Sequence, residues 1–135
     1  MILLDTSVWI AFLDRDDSCH QQALEILVNL NYKDVEVIDH LYAETLTVFR
    51  NKGSDQYSIN FMAFLTDEEI KVINTSNNAF GLAQELFFSF RKLSFNDSLL
   101  MAVAKELNAQ LVTFDKELSK AWVEVNKWKD LPEEN

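Results

Sequence analysis

The sequence predicts an α/β fold with a mainly parallel sheet, and three observations lead to it. Short apolar segments alternate along the chain with longer amphipathic ones, as strands and crossover helices do in such folds. Hydrophobic residues make up 48% of the chain and include ten Phe, which is enough for a sizeable core and excludes a disordered protein. The length of 135 residues fits one domain. We expect that domain at residues 1–129, followed by a polar tail at 130–135.

Each predicted strand is a short apolar run bounded by polar residues. The first, at residues 2–5, is too short for a signal peptide and no basic segment precedes it, so we expect none. Three more strands are predicted, at 35–38, 70–73 and 111–113. A further candidate for a last strand lies at 122–125.

The predicted helices have apolar residues at helical spacing and recognisable ends. The helix at 40–52 stops before Gly53, which suits the left-handed position after a helix. Asn108 ends the helix at 95–107, because Asn tolerates that conformation better than most residues. The helix at 78–90 is expected to bury Phe80, Leu86, Phe87 and Phe90. The remaining helices are predicted at 7–13, 18–30, 55–65 and 116–121.

Charge and composition limit the classes of function. Acidic residues outnumber basic ones by 22 to 12, for a net charge of −10, which argues against a general nucleic-acid-coating protein. An enzyme that meets nucleic acid at a metal-filled site stays compatible, because bound divalent ions cancel charge locally. The single cysteine, Cys19, allows no internal disulfide, and no apolar run is long enough to span a bilayer. We therefore expect a cytoplasmic protein with no membrane partner.

Two aspartates directly follow predicted strands. Asp5 comes after ILL and Asp115 after LVTF, and a helix follows each of them. Open parallel α/β folds bind ligands at the carboxyl ends of strands, where the strand order reverses. Either residue taken alone also suits a helix cap. Thr6 and Ser7 could cap the first helix equally well, so Asp5 is not needed for that role.

Two further acids lie at the margins of apolar helix faces. Asp97 is the third residue after Ser94 and so fits the S-x-x-D form of a capping box. At about 100° per residue, however, it lies about 20° from Ala104 on the flank of the apolar face. Glu44 lies about 40° from Val48, at the edge of the apolar arc of its helix. A solvated acid at such a boundary is ordinary, but one pointing along a buried face needs a partner or a metal.

The four acids have no basic residue at helical pairing distance. No Lys or Arg stands three or four positions from Asp5, Glu44, Asp97 or Asp115. Acids gathered in one pocket would repel one another and would need cations. Hard oxygen ligands favour Mg²⁺ or Mn²⁺, which can clamp phosphate oxygens. The joint pattern therefore predicts a divalent-metal site.

Four motifs resemble, in order and spacing, the acidic motifs of PIN-domain ribonucleases, above all the small stand-alone VapC-type toxins. They are LLDTSVWIA, YAETLTVFRNK, LSFNDSLLMAVAKEL and LVTFDKEL, and the resemblance covers essentially the whole chain. The last two motifs together are quite specific, whereas the Glu44 motif is the least specific. The family often has Gly where this chain has Asn108. The larger departure is the acidity of the chain, which bears on RNA affinity more than on chemistry.

The resemblance implies a three-layer α/β/α sandwich whose central parallel sheet has the strand order 3-2-1-4-5. It also implies a metal-dependent endoribonuclease using Mg²⁺ or Mn²⁺ and leaving 3′-hydroxyl and 5′-phosphate ends. The acids carried over as catalytic residues and metal ligands are Asp5, Glu44, Asp97 and Asp115. The hydroxyls that would orient those ligands are Thr6 or Ser7, and Thr113.

The resemblance also suggests partners. We expect an RNA substrate, a homodimer, and a cognate antitoxin that plugs the acidic pocket, plausibly with an Arg or Lys. The candidate RNA contacts are Arg50, Lys52, Arg91, Lys92 and Lys116. For Arg50 and Lys52, compensation of the helix dipole is an equally good explanation.

Other interpretations stay open at this point. A PIN-domain nuclease could act in RNA processing or quality control without a toxin role, and a non-catalytic PIN-like module could bind RNA or protein. A haloacid-dehalogenase-like phosphatase needs an acid at position 7, and a response-regulator receiver needs one after the third strand; both are absent. His40 with Glu44 has zinc-compatible spacing but no further ligand motif. Cys19 and His20 are expected to be structural or surface residues.

Overall fold

The structure, a computed structural model, describes residues 1–128 as a four-stranded parallel sheet flanked by helices. The strands are β1 (Ile2–Leu4), β2 (Val35–Ile38), β3 (Lys71–Ile73) and β4 (Gln110–Val112). Their order in the sheet is β3-β2-β1-β4, and every neighbouring pair is parallel. Between β1 and the edge strand β4, Leu4 lies opposite Val112, so these two strands end at the same level.

Seven α-helices within residues 1–128 connect and follow the strands. The helices are α1 (Thr6–Leu13), α2 (His20–Val28), α3 (Asp39–Asn51), α4 (Asp55–Asp67), α5 (Asn77–Ser89), α6 (Phe95–Glu106) and α7 (Lys116–Asn126). In one group, α1 contacts α2, α3 and α4; in the other, α6 contacts both α5 and α7. The α6 helix is buried almost all round, from Ser98 to Ala104, which makes it the central helix of its group.

The prediction of a fifth strand at 122–125 was wrong. These residues continue α7, which buries Leu118, Ala121 and Val125 at helical spacing against the core. The two valines of this segment favour a strand locally, but packing of the amphipathic helix overrides that preference. The sheet order 3-2-1-4 is therefore confirmed, and residues 1–128 contain no fifth strand. The predicted tail at 130–135 lies outside the described residues.

The predicted apolar face of α5 was also partly wrong. The helix buries Leu86 together with the small residues Ala79 and Ala83, which allow it to approach α6 closely. Phe80 and Phe87 instead remain 46% and 37% exposed. The prediction chose the face with the large aromatic side chains. The face that packs is instead the one whose small residues let the two helices approach closely.

The backbone conformations at the helix ends agree better with the sequence prediction. Gly53 has φ 80° and Asn108 has φ 51°, so both adopt the left-handed conformation expected of them after α3 and α6. Glu69, with φ 57°, does the same after α4 and was not anticipated. Within residues 1–128, no helix combines the length and apolar character needed to cross a bilayer.

Candidate active site

The carboxyl ends of β1 and β4 bring Asp5 and Thr113 to one edge of the sheet. The backbone N–H of Asp5 continues the ladder by donating to the carbonyl of Val112 at 2.9 Å. Because the strands are parallel and in register, the residues that follow them leave the sheet side by side. This is the point where the chain switches from one side of β1 to the other, and where α/β folds bind ligands.

Asp5 occupies the N-cap position of α1 without capping it. Its side chain accepts hydrogen bonds at Oδ2 from the hydroxyls of Ser7, at 2.9 Å, and Thr113, at 2.8 Å. The residue is only 7% exposed, so two hydroxyl donors compensate a nearly buried carboxylate. From the sequence, Thr6 and Ser7 could also have capped α1, but the Ser7 hydroxyl instead accepts from the N–H of Phe114 at 3.1 Å.

Glu44 approaches the same edge from α3. The hydroxyl of Thr6 lies 3.2 Å from Glu44 Oε2 and also 3.2 Å from the hydroxyl of Thr45. Thr45 is fully buried and Glu44 half-buried, so the link holds the start of α1 against the middle of α3. The placement of Glu44 at the margin of an apolar face agrees with the sequence prediction.

The side chains of Asp97 and Asp115 both take part in helix capping, as the capping interpretation of these two residues predicted. Asp97 completes a capping box: its Oδ2 accepts from the N–H of Ser94 at 3.2 Å, and its own N–H donates to the Ser94 hydroxyl at 3.1 Å. Asp115 caps α7 by accepting from the N–H of Leu118 at 2.9 Å. Capping places both carboxylates at helix N-termini, next to the ends of the strands.

All four acids line one open cleft, which we call the acid cleft, with a volume of about 500 Å³. No Lys or Arg of residues 1–128 lines it, and none lies within ion-pair distance of any of the four acids. The other polar residues of its wall are Thr6, Ser7, Asp17, Cys19 and Ser94.

Burial and mutual repulsion raise the pKa of three of these acids. For Asp5 the main cause is burial, which the hydroxyls of Thr113 and Ser7 partly offset. Burial likewise raises the pKa of Glu44, and the charges of Asp5 and Asp97 raise it further. The pKa of Asp97 rises through burial and through the charge of Asp5. The acids therefore repel one another, and a cation in the cleft would offset both this repulsion and the free-energy cost of burying their charges.

The chemistry of the donors fits a hard divalent cation, although the carboxylates are not gathered around one point. Within residues 1–128, no three His, Cys, Asp or Glu side chains stand together closely enough to hold a metal ion. Carboxylate and hydroxyl oxygens are nevertheless the ligands that Mg²⁺ and Mn²⁺ prefer, and Mg²⁺ commonly uses only one or two carboxylates together with water.

The predicted RNA contacts fall into two groups. Arg50 lies 3.6 Å from Asp55, and Lys52 lies 3.1 Å from Asp14, whose carboxylate is buried. The second group is near α7. Its members Arg91 and Lys92 line a cleft beside that helix, and Lys116 lines a cleft that also contains Asp115.

Asp17 and Cys19 are the residues of the acid cleft that sequence reasoning missed. They belong to the connection between α1 and α2, where no periodicity indicates which way a side chain points. His20 does not face the cleft; its Nδ1 lies 2.6 Å from the carbonyl of Ala11. His40 is also outside the cleft wall, with its Nδ1 3.2 Å from the hydroxyl of Thr75.

Comparisons with known proteins agree with this architecture. The family model of the PIN domain matches residues 2–122. The VapC ribonuclease of Archaeoglobus fulgidus is 26% identical over 139 residues, an alignment covering 97% of this chain and 87% of that protein.

Solved structures show the same fold. The Mycobacterium tuberculosis toxin VapC20, which cleaves the sarcin–ricin loop, superposes with a TM-score of 0.79 at 22% identity, covering 90% of this chain and 95% of that one. FitAcB from Neisseria gonorrhoeae gives 0.68 at 19% identity, with coverages of 91% and 94%. VapBC2 from Rickettsia felis, bound to a promoter DNA fragment, gives 0.66 at 22% identity, with coverages of 89% and 92%.

Proposed function

Because this chain belongs to the PIN domain family, we propose that it is a metal-dependent endoribonuclease and the toxin of a toxin–antitoxin pair. One observation carries the proposal: the four acids, together with Asp17, line a single cleft at the switch point of the sheet, and no Lys or Arg of residues 1–128 pairs with them. A cleft of this charge repels a phosphate group unless cations neutralise it first. Its chemistry therefore favours a divalent metal and a phosphodiester substrate.

Asp5, Glu44, Asp97 and Asp115 are the proposed ligands of Mg²⁺ or Mn²⁺. When bound, such an ion lowers the pKa of a coordinated water and polarises the scissile phosphate. The residues of this chain hold the ligands in place. Thr113 and Ser7 donate to Asp5, and Thr6 donates to Glu44, so that hydroxyls orient two of the four carboxylates.

The hydroxyl donors also keep the acids ready to lose their protons. Burial alone favours the protonated form of Asp5, and the hydrogen bonds from Thr113 and Ser7 lower its pKa against that effect. A ligand must be ionised, so metal binding competes with the proton at this site. We therefore expect metal affinity to increase with pH across the acidic range.

Cleavage of a defined RNA by the purified protein tests the proposed chemistry. Wild type should cut only with added Mn²⁺ or Mg²⁺, stop with EDTA, and leave 5′-phosphate ends. Asp97→Asn should fold and be at least as stable as wild type but lose cleavage. Cleavage that persists in EDTA, or full activity of Asp97→Asn, would contradict the proposal.

The toxin role is supported by the matches to VapC and VapBC proteins and is tested separately. We propose that an antitoxin segment carrying Arg or Lys enters the acid cleft, and that the chain forms a homodimer. Induced expression of wild type, but not of Asp97→Asn, should arrest growth of the host and produce new RNA 5′ ends. Cleavage in the test tube without growth arrest would instead indicate a role in RNA processing.

A further inference from the structure

We propose that the RNA strand leaves the acid cleft on the Asp115 side and lies along a basic groove beside α7. This inference rests on the proposed function, and it specifies where the substrate runs. The basic groove is defined by six residues: Phe90, Arg91, Lys92, Lys116, Ser119 and Lys120. Lys120 was not among the candidates drawn from the sequence.

The basic groove adjoins the acid cleft, because the two share lining residues. Phe114 and Asp115 line both the acid cleft and the neighbouring cleft that contains Lys116, Ser119 and Lys120. Lys120 in turn lines a third cleft, together with Arg91 and Lys92. A strand that leaves the acid cleft past Phe114 and Asp115 would therefore next meet the cleft over the first turn of α7.

The charge along this path changes from acidic to basic. No Lys or Arg of the described residues lines the acid cleft, whereas the groove carries four of the chain's 12 basic residues. Of these, Lys92 lies 3.9 Å from Glu117. Among residues 1–128, no carboxylate approaches within 4.0 Å of the other three, Arg91, Lys116 and Lys120.

The alternative path, towards the end of α3, offers less free charge. There the guanidinium of Arg50 pairs with Asp55, and the ammonium of Lys52 pairs with the buried Asp14 and so stabilises the fold. Two acids, Glu117 and Glu124, do line the α7 side, but Glu124 lies 3.3 Å from Lys127. Of these two paths, the one on the Asp115 side therefore has the cations that no carboxylate of residues 1–128 approaches within 4.0 Å.

These side chains match a single RNA strand. Spaced ammonium and guanidinium groups neutralise successive phosphates, and the hydroxyl of Ser119 can donate to a phosphate or ribose oxygen. The half-buried ring of Phe90 lines the same groove. One face of this ring stacks on Trp128, and this contact orients the ring so that a base can stack on it. An acidic peptide could pair with the cations of the groove, but the carboxylates of the adjoining acid cleft would repel it.

RNA binding by an Arg91→Ala/Lys120→Ala variant tests the groove, with Lys33→Ala/Lys71→Ala as the matched control. The control removes the same charge from a cleft near the starts of β2 and β3, at the opposite edge of the sheet. All four side chains are exposed, so neither variant should unfold. Both are made with Asp97→Asn to prevent cleavage, and binding of a single-stranded RNA is followed by fluorescence anisotropy at several salt concentrations.

The groove variant should bind roughly tenfold more weakly at about 0.1 M salt, with a salt slope reduced by about 1.4, since each single-strand phosphate contact contributes about 0.7. The control should bind as Asp97→Asn alone does. Equal affinities of groove and control variants would overturn the inference. So would unchanged RNA binding accompanied by lost binding of a poly-glutamate peptide, which would assign the groove to an acidic protein.

Cleavage by the otherwise wild-type protein separates this inference from the proposed function. If wild type does not cut RNA but the groove variant binds it more weakly, the nuclease proposal fails and the groove stands. If wild type cuts and the groove variant has an unchanged KM for long RNA, the groove fails and the nuclease proposal stands. If the nuclease proposal and the groove inference are both correct, the groove variant has a higher KM than wild type for long RNA and the same kcat for a dinucleotide.

Discussion

The hydroxyl of Thr113 donates a 2.8 Å hydrogen bond to the carboxylate of Asp5, across 108 positions of sequence. The bond joins the end of β4 to the end of β1 at the switch point of the sheet. Thr113 also accepts from the backbone N–H of Asp115 at 3.0 Å. One hydroxyl thereby fixes the orientation of one proposed metal ligand and the backbone of another.

Replacing this hydroxyl should weaken the site without destroying the fold. Thr113→Val keeps the shape of the side chain but removes the donor, so Mn²⁺ affinity should fall about 10- to 100-fold. Thr113→Ser should restore it. Isothermal titration with Mn²⁺ measures the effect, and Thr47→Val, on the exposed side of α3, is the control. Equal affinities of Thr113→Val and wild type would show that the hydroxyl does not position the ligand.

Without metal, the Asp5 carboxylate should destabilise the protein at neutral pH. Its pKa in the folded state is raised by burial, so the folded protein holds the proton more tightly than the unfolded chain does. The stability that protonated Asp5 contributes is complete below its ordinary pKa and is lost as pH rises through the raised value.

Thermal melts in EDTA from pH 4 to pH 8 check this linkage. Asp5→Asn should melt close to wild type at the acidic end and a few degrees higher at neutral pH. Asp67→Asn, at an exposed acid at the end of α4, controls for the loss of one charge. A difference between Asp5→Asn and wild type that does not change with pH would rule out a raised pKa.

Divalent metal should reverse this destabilisation. At a Mn²⁺ concentration of about 100 times Kd, binding adds about 2.7 kcal/mol to the free energy of unfolding, or roughly 8–10 °C in Tm. The double variant Asp5→Asn/Glu44→Gln should show no such shift. Asp67→Asn/Glu68→Gln, which removes two exposed carboxylates, should still show it. Equal shifts in all three proteins would indicate binding elsewhere on this acidic chain.

Two substitutions of Asp97 should distinguish its role in capping α6 from its role in catalysis. Asp97→Asn keeps an oxygen that can accept from the N–H of Ser94, so it should keep its stability. Asp97→Ala loses the half of the capping box that accepts from the N–H of Ser94, which should lower the free energy of unfolding by about 1 kcal/mol. Both should lose cleavage. Ser76→Ala removes the cap of α5 away from the acid cleft and should lose stability but keep cleavage. Inactive Ser76→Ala would mean that capping alone explains the loss of activity.

The sequence predicted the features that depend on local pattern. The short apolar runs locate four strands to within a residue or two, and Gly53 and Asn108 mark helix ends because their conformations are unusual for other residues. The S-x-x-D pattern correctly predicted the capping box of Asp97. These successes share a cause: each property is decided within a few residues of the chain.

Other features depend on distant parts of the chain. Residues 122–125 read as a strand because valine favours one, yet the whole of α7 packs as a helix. The hydroxyls of Thr6 and Ser7 looked like caps, but they bond to Glu44 and Asp5, partners that only the fold brings close. Asp17 likewise lines the acid cleft because the fold brings the connection between α1 and α2 next to it, which no local pattern indicates.

Cleavage of one RNA by the four single amide variants, each titrated with Mn²⁺, tests the central claim most directly. Wild type and the exposed-acid control Asp67→Asn should cut only when metal is present, and EDTA should abolish the activity. Each of Asp5→Asn, Glu44→Gln, Asp97→Asn and Asp115→Asn should cut at least about 100-fold more slowly, since the acids act as one site. Wild-type rates in any two of these variants, or cleavage unaffected by EDTA, would contradict a four-carboxylate metal site.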